Sequence, residues 1–176
     1  MHTLICGVTE SGKTTLAHAL ARGLSADGQP IIVYDPIGGA TAAGNWPAGA
    51  VVFDDEEEFF DYLSRDDVAA AHVFVDESGD IFNLSKRHNF WLLTRGRHFG
   101  FQVYMIAQRP KMLAPSARTQ ASRAYLFRLA PDDLREIGAD FGHGGIEKIT
   151  LDRGDFVCLH SGSTSISRAN IFNLLE

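Results

Sequence analysis

Cysteine is scarce in this sequence: Cys6 and Cys158 are the only two, each inside an apolar run. So few cannot build a disulfide framework or a zinc site, and both read as small core residues of a chain kept in a reducing compartment. Basic residues are also in short supply. Sixteen Lys and Arg stand against 22 Asp and Glu, a formal charge of −6. That removes the sequence-wide basic excess that advertises a nucleic-acid partner, although a local basic stripe, or a ring of subunits, still provides one. No apolar stretch reaches the roughly 18 residues that a bilayer requires. Met1 leads straight into strand-like sequence rather than a signal peptide, so a soluble, cytoplasmic chain with no membrane contact is expected. The seven histidines show no ligand spacing, and His2, His18 and His72 read as structural. What remains is ordinary globular composition, 45% hydrophobic and 22% charged, in a length that suits one domain.

Apolar runs alternate with helical patterns along most of the chain. Strands are expected over 2–6, 30–34, 50–53, 72–75, 101–107 and 124–129. Several are apolar throughout, as in a sheet covered on both faces. Helices are expected from 13 to about 26 and over 56–64, 84–98 and 131–141. "ADG" closes the first, and Pro131 with the acidic residues after it suits the start of the last. Beyond Gly142 the pattern changes to two short antiparallel strands around a Gly/Ser turn. The expected fold class is therefore α/β, a mainly parallel central sheet covered by helices with a small C-terminal β addition. It divides into a core of about 1–142 and an extension over 143–176 of one domain.

"GVTESGKT", Gly7 to Thr14, matches the P-loop pattern at every fixed position, after a strand and at the start of a helix. Gly7 and Gly12 let the backbone curl so that N–H groups meet phosphate oxygens, helped by the helix N-terminus. Thr9, Glu10, Ser11 and Thr15 complete the candidate phosphate contacts. Lys13 is placed for the β- and γ-phosphates of ATP, and the Thr14 hydroxyl for Mg²⁺. "AHVFVDES" supplies the second half: Asp76 ends an apolar strand and is a candidate Mg²⁺ holder. Glu77 beside it is a candidate base for an attacking water, its bland reading being a surface carboxylate. Asp35, in "VYDP", either faces the same cleft or makes an Asp-Pro turn.

The succession of this loop, "VYDP", "HVFVDE", "GRHFGFQVYMIAQRP" and "RAYLFRL" resembles the FtsK/HerA superfamily of P-loop ATPases, over about residues 2–129. The resemblance implies a RecA-like core of the ASCE type and an ATPase that translocates double-stranded DNA. The compact scale is similar to that of viral genome-packaging ATPases. It also implies roles: Gln108 as the polar sensor of the γ-phosphate, and Arg97 as an arginine finger reaching a neighbour's ATP, with Arg95 its rival by one step of register. Arg118, Arg123 and Arg128 are weaker candidates. A finger in trans implies a ring of subunits, and packaging implies a capsid vertex or portal partner. Lys86, Arg87 and Lys111 are candidate sequence-independent DNA contacts, against the bland reading of Lys86 and Arg87 as a solvated helix face.

Two other functions fit parts of this pattern. A small nucleotide or metabolite kinase would use "APSARTQASR" as an arginine-rich lid. A nucleotide-dependent assembly factor would grip protein instead of DNA, in keeping with the acidic charge. The Asp76–Glu77 pair and the segment ending "AQRP" favour the motor.

Overall fold

The computed structural model describes residues 1–38 and 45–174. The first strand, β1 (His2–Cys6), is buried along its whole length, because it has a neighbour on each side and a layer on each face. Around it the chain builds one sheet of eight strands. These are β2 (Ile31–Tyr34), β3 (Val51–Phe53), β4 (His72–Val75), β5 (Gln102–Ala107), β6 (Ala121–Leu126), β7 (Asp155–His160) and β8 (Ser167–Asn170). The order is β3-β2-β4-β5-β1-β6-β7-β8. All pairings from β3 to β6 are parallel; β7 and β8 add antiparallel on the β6 edge. The C-terminal β addition thus extends the same sheet.

Alternation along the strands divides the core in two. Leu4, Cys6, Val73, Val75, Val103 and Met105 face one side. Ile5, Val33, Phe74 and Ile106 face the other, under helix α1 (Lys13–Ala26), which buries Leu16, Ala17 and Ala21 there. The first face is covered by α2 (Glu56–Leu63), by α6 (Pro131–Phe141) and by the segment between β4 and β5. Helix α2 starts where Asp55 accepts from the Glu58 N–H at 3.0 Å, and it buries Phe59 and Leu63, one turn apart. Helix α6 begins at Pro131 and stops at Gly142, whose φ of 76° closes the last turn.

The expected single helix over 84–98 does not form. After a short α3 (Ser78–Ile81), the chain makes a 3₁₀ stretch at Leu84–Phe90, kinked at Lys86, then α4 (Trp91–Thr94) and another 3₁₀ turn at Gly96–Phe99. Polar side chains here compete with helix formation, by local bonds and by one to a distant segment. Asn83 accepts from the Ser85 N–H, and buried Asn89 donates to Glu56 and to the Ile81 carbonyl. Phe90 and Trp91 pack partly buried against the core as expected. The strand expected at 124–129 is β6, three residues earlier. A short helix, α5 (Pro115–Arg118), precedes it. Beyond Leu126 the backbone bonds to the P-loop region instead: the Phe127 N–H donates to Cys6 and the Val8 N–H to Arg128. Of the histidines, His2 bonds the Leu93 carbonyl and the Val103 N–H, and His72 meets the Tyr104 hydroxyl.

A candidate nucleotide site

Parallel strands bring their C-terminal ends to one edge, and the sequence places its polar residues there. β1 runs into the P-loop, β2 ends beside Asp35, β4 beside Asp76 and β5 beside Gln108. The P-loop needs its glycines. A Cβ on Gly7 would stand 2.6 Å from Phe127 Cβ and 2.7 Å from Ser11 Oγ, and Gly12 has φ +113°. Glu10 also sits at positive φ, 60°. Ser11 Oγ is buried with no hydrogen-bond partner, an unpaired group in a loop whose pattern suits phosphate oxygens. Lys13 is buried and donates to the Val8 carbonyl at 3.1 Å. Burial draws its pKa down, and the charges of Asp76 and Glu77 pull it back up.

One cleft joins Thr9, Glu10, Lys13 and Thr14 to Asp35, Asp76, Glu77 and Gln108. Asp76 accepts from the Glu77 N–H at 2.9 Å. Burial pushes its carboxyl up to about 6, opposed by that hydrogen bond and reinforced by the charges of Asp35 and Glu77. Glu77 occupies the left-handed region, φ 47°, ψ 40°, an unfavourable conformation for a side chain with a Cβ that persists at functional turns. Its Oε1 accepts from Gln108 Nε2 at 3.3 Å. Ser78 ties the following turn to β5 by donating to the Ile106 carbonyl at 2.8 Å.

Among the described residues no group of three or more His, Cys, Asp and Glu forms a metal cage. A divalent cation in this cleft would take the Thr14 hydroxyl, the Asp76 carboxylate and phosphate oxygens. That set fits Mg²⁺, which is held by one or two protein ligands plus phosphate, and a cation would stabilise the desolvated Asp76 charge. Asp35 serves both expected roles, lining the cleft and anchoring the turn at 36–38 that follows it. It is buried, accepting from the Gly38 N–H at 2.9 Å and from Trp46 Nε1 at 3.1 Å. The part that Trp46 and His18 play beside the cleft escaped sequence reasoning. The Trp46 indole lies edge-on to His18, ring centroids 4.4 Å apart, and His18 lines the cleft. The signal available was a lone tryptophan in a glycine- and alanine-rich stretch.

The basic residues separate into groups. Arg95 and Arg97 are exposed at the opposite edge of the sheet. Arg95 shares a groove with Leu63, Val68, Trp91 and Phe99, and Arg97 lies near His2 at the start of β1. Neither belongs to this chain's own cleft. Arg118 is buried and held by four hydrogen bonds. It bonds Glu136 at 2.6 Å, Asp140 at 2.8 Å and the carbonyls of Pro110 and Leu113. It is therefore a strut between α5 and α6, because four of its five N–H donors are engaged within the chain and the side chain is buried. Arg123 is partly buried on β6, while Arg128 is exposed beside Thr9 and Gln108. Arg109, directly after Gln108, makes a two-pronged bond to buried Asp133 at 2.8 and 3.2 Å. Of the candidate DNA contacts, Lys86 pairs with Glu56, and Lys111 lies 3.8 Å from Asp133 and 3.9 Å from Glu136. Arg87 is exposed and has no ion pair among the described residues.

Solved structures place this architecture. The DNA-packaging ATPase B204 of Sulfolobus turreted icosahedral virus superposes with a TM-score of 0.80 at 21% identity, over 96% of each chain. The chain has a RecA-like P-loop ATPase fold. The genome-packaging NTPase B204 of Sulfolobus turreted icosahedral virus 2, in complex with ATP-γS, shares this fold at a TM-score of 0.75 and 19% identity, again over 96% of each chain. The conjugation coupling protein TcpA of pCW3 gives 0.70 and 16%, over 99% of this chain and 65% of its own. No family model and no curated protein matches the sequence. The fold expected from the sequence, down to the β addition, is the fold observed. No described helix is long and apolar enough to cross a membrane.

Proposed function

We propose that this chain is an ATP-hydrolysing motor that translocates double-stranded DNA, and that its role is the packaging of a viral genome. The observation that carries hydrolysis is the Glu77–Gln108 hydrogen bond, 3.3 Å long, held on a left-handed turn beside Asp76 and Lys13. A base and a water-orienting amide in contact, next to a phosphate loop, suit attack by water more than transfer to a second substrate. The DNA part of the reading is supported by the likeness to B204, a DNA-packaging ATPase.

In this mechanism the P-loop N–H groups and Lys13 hold the β- and γ-phosphates of ATP; Thr14 and Asp76 would hold Mg²⁺, which would neutralise charge on the phosphate oxygens. Glu77 accepts a proton from the water whose oxygen attacks the γ-phosphorus, while the bond from that phosphorus to the β,γ-bridging oxygen breaks and ADP departs. Gln108 orients the water. Because it leads directly to Arg109, its position is tied through Asp133 to helix α6. Arg97, or Arg95, acts on the ATP of a neighbouring subunit in a ring. Arg87 is the strongest of the candidate DNA contacts, since Lys86 and Lys111 already face carboxylates. The motor works in the host cytoplasm and docks on a capsid vertex or portal protein.

The kinase reading loses its lid. Arg118 of "APSARTQASR" is fixed in ion pairs, and a lid must move. Phosphate release measured with and without double-stranded DNA tests the proposal. Stimulation by DNA is the expected result. Transfer of phosphate to a small acceptor would establish a kinase, and ATP-dependent assembly without DNA stimulation would establish a factor that grips protein.

A further inference from the structure

The mouth of the P-loop has two sides. Asp76, Glu77 and Gln108 stand on the β4–β5 side of β1, where the γ-phosphate reacts. The other side belongs to β6, β7 and β8, and there the C-terminal segment returns to touch the loop. The Gly154 N–H donates to the Ser11 carbonyl at 3.1 Å, and the Ile171 N–H donates to the Gly154 carbonyl at 2.8 Å. A Cβ on Gly12 would lie 3.1 Å from Ile171 Cγ2, so Ile171 packs directly on the loop. The next residue is Phe172, left 44% exposed.

Its ring is held in place from below. A Cβ on Gly154 would come within 2.5 Å of the Phe172 ring, so the ring lies against bare backbone at a residue whose φ is +85°. The Phe172 N–H donates to Asn170 Oδ1 at 3.0 Å, and Asn170 in turn donates to Asp155 Oδ1 at 2.8 Å. The result is a fixed aromatic face, open to solvent, at the rim of the phosphate loop. A triphosphate held with its γ end among Lys13, Glu77 and Gln108 would have its reacting end on the β4–β5 side of β1, which leaves the β6–β8 side, where Phe172 stands, open to its nucleoside.

We propose that the Phe172 ring is the platform on which the base of the bound nucleotide stacks. The proposal rests on the reading of Gly7–Thr14 as a triphosphate site. It adds that the C-terminal β addition supplies the base subsite. Every base has a π face, and stacking on an aromatic side chain tolerates base identity. Phe172 therefore contributes affinity for nucleotides as a class, not a choice of ATP over GTP.

The test compares ATP with tripolyphosphate, which has the phosphates and no base. Binding of each to the full chain with Mg²⁺ is measured by calorimetry for wild type, F172A, F172L and F172W. F172L keeps apolar bulk over Gly154 without a π face; F172W keeps the π face. F172A and F172L are expected to bind ATP and GTP roughly tenfold more weakly, the loss of one base–aromatic stack, with tripolyphosphate affinity unchanged. F172W is expected to bind as wild type does. Unchanged ATP affinity in F172A and F172L overturns the proposal. So does an equal loss for tripolyphosphate, which would mean that Phe172 shapes the loop and does not touch the base. Wild type binding tripolyphosphate as tightly as ATP refutes the stack alone, whereas wild type binding neither refutes the phosphate site itself.

Discussion

Asp76→Asn is expected to stabilise the nucleotide-free protein at neutral pH while abolishing Mg²⁺-dependent turnover. The reason is the cost of burying its charge. Its carboxyl is raised from an ordinary 3.8 to about 6, so between those values the folded chain holds a proton that the unfolded chain has released. Stability therefore falls as pH rises through that window, by about 1.4 kcal/mol per pH unit. Above the window the ionised side chain lowers stability by about 3 kcal/mol, the whole of that fall. Asparagine matches the neutral carboxyl in shape and carries no charge. The difference between variant and wild type should be near zero at pH 4 and reach about 3 kcal/mol at pH 8, read from urea unfolding at a series of pH values. Using the difference matters because His2, His18 and His72 act in the opposite sense. Burial lowers their pKa values, so each contributes stability above its unfolded value that is lost as pH falls. Those contributions cancel between the two proteins. A pH-independent difference, or an asparagine variant less stable at pH 8, would refute the assignment of Asp76 as a strained, cation-seeking carboxylate.

Other substitutions probe the remaining roles. Glu77→Gln should leave ATP affinity intact and cut turnover by about 10²–10⁴-fold, as expected for loss of a general base; normal phosphate release would remove Glu77 from that role. Arg118→Ala leaves Glu136, Asp140 and two carbonyls without their donor. It should destabilise the fold by about 3 kcal/mol, lowering the melting temperature by roughly 6–12 °C for a chain of this size. An unshifted melting temperature would return Arg118 to the finger candidates. For Arg97 and Arg95, the decisive experiment mixes each alanine variant with Lys13→Ala subunits, all inactive alone. A finger in trans restores hydrolysis in the mixture, because an intact site then meets an intact arginine; no recovery with either variant rejects both.

The parts of this protein that the sequence made legible are those governed by local rules. His2–Cys6 is apolar from Leu4 onward and His72–Val75 at every position but its first, as burial on both faces favours. Gly7, Gly12, Lys13 and Thr14 are fixed by a loop geometry that few other residues satisfy. Asp76 and Gln108 could be placed because parallel strands deliver their ends to one edge. The stretch 84–98 could not be read the same way: Asn89 bonds Glu56, 33 residues earlier, and no local pattern reveals that partner. Asp35 shows the same limit. An Asp-Pro pair ending a strand suggests a turn or a cleft; Asp35 serves both, and the Trp46 indole that also holds it comes from a separate segment that no local pattern points to.

The arginines carry the clearest division. Sequence alone determined that a P-loop pattern, the Asp76–Glu77 carboxylate pair and the polar strand tip Gln108 follow one another along the chain, because those features depend on backbone conformation and on spacing along the chain. Only the tertiary structure decided that Arg118 is a buried strut, that Arg109 binds Asp133, and that Phe172 returns to the rim of the loop that begins at Gly7. A charge or a ring has no fixed meaning until the fold sets its neighbours. Desolvation and opposite charge fix what an arginine does, and both depend on residues distant in sequence.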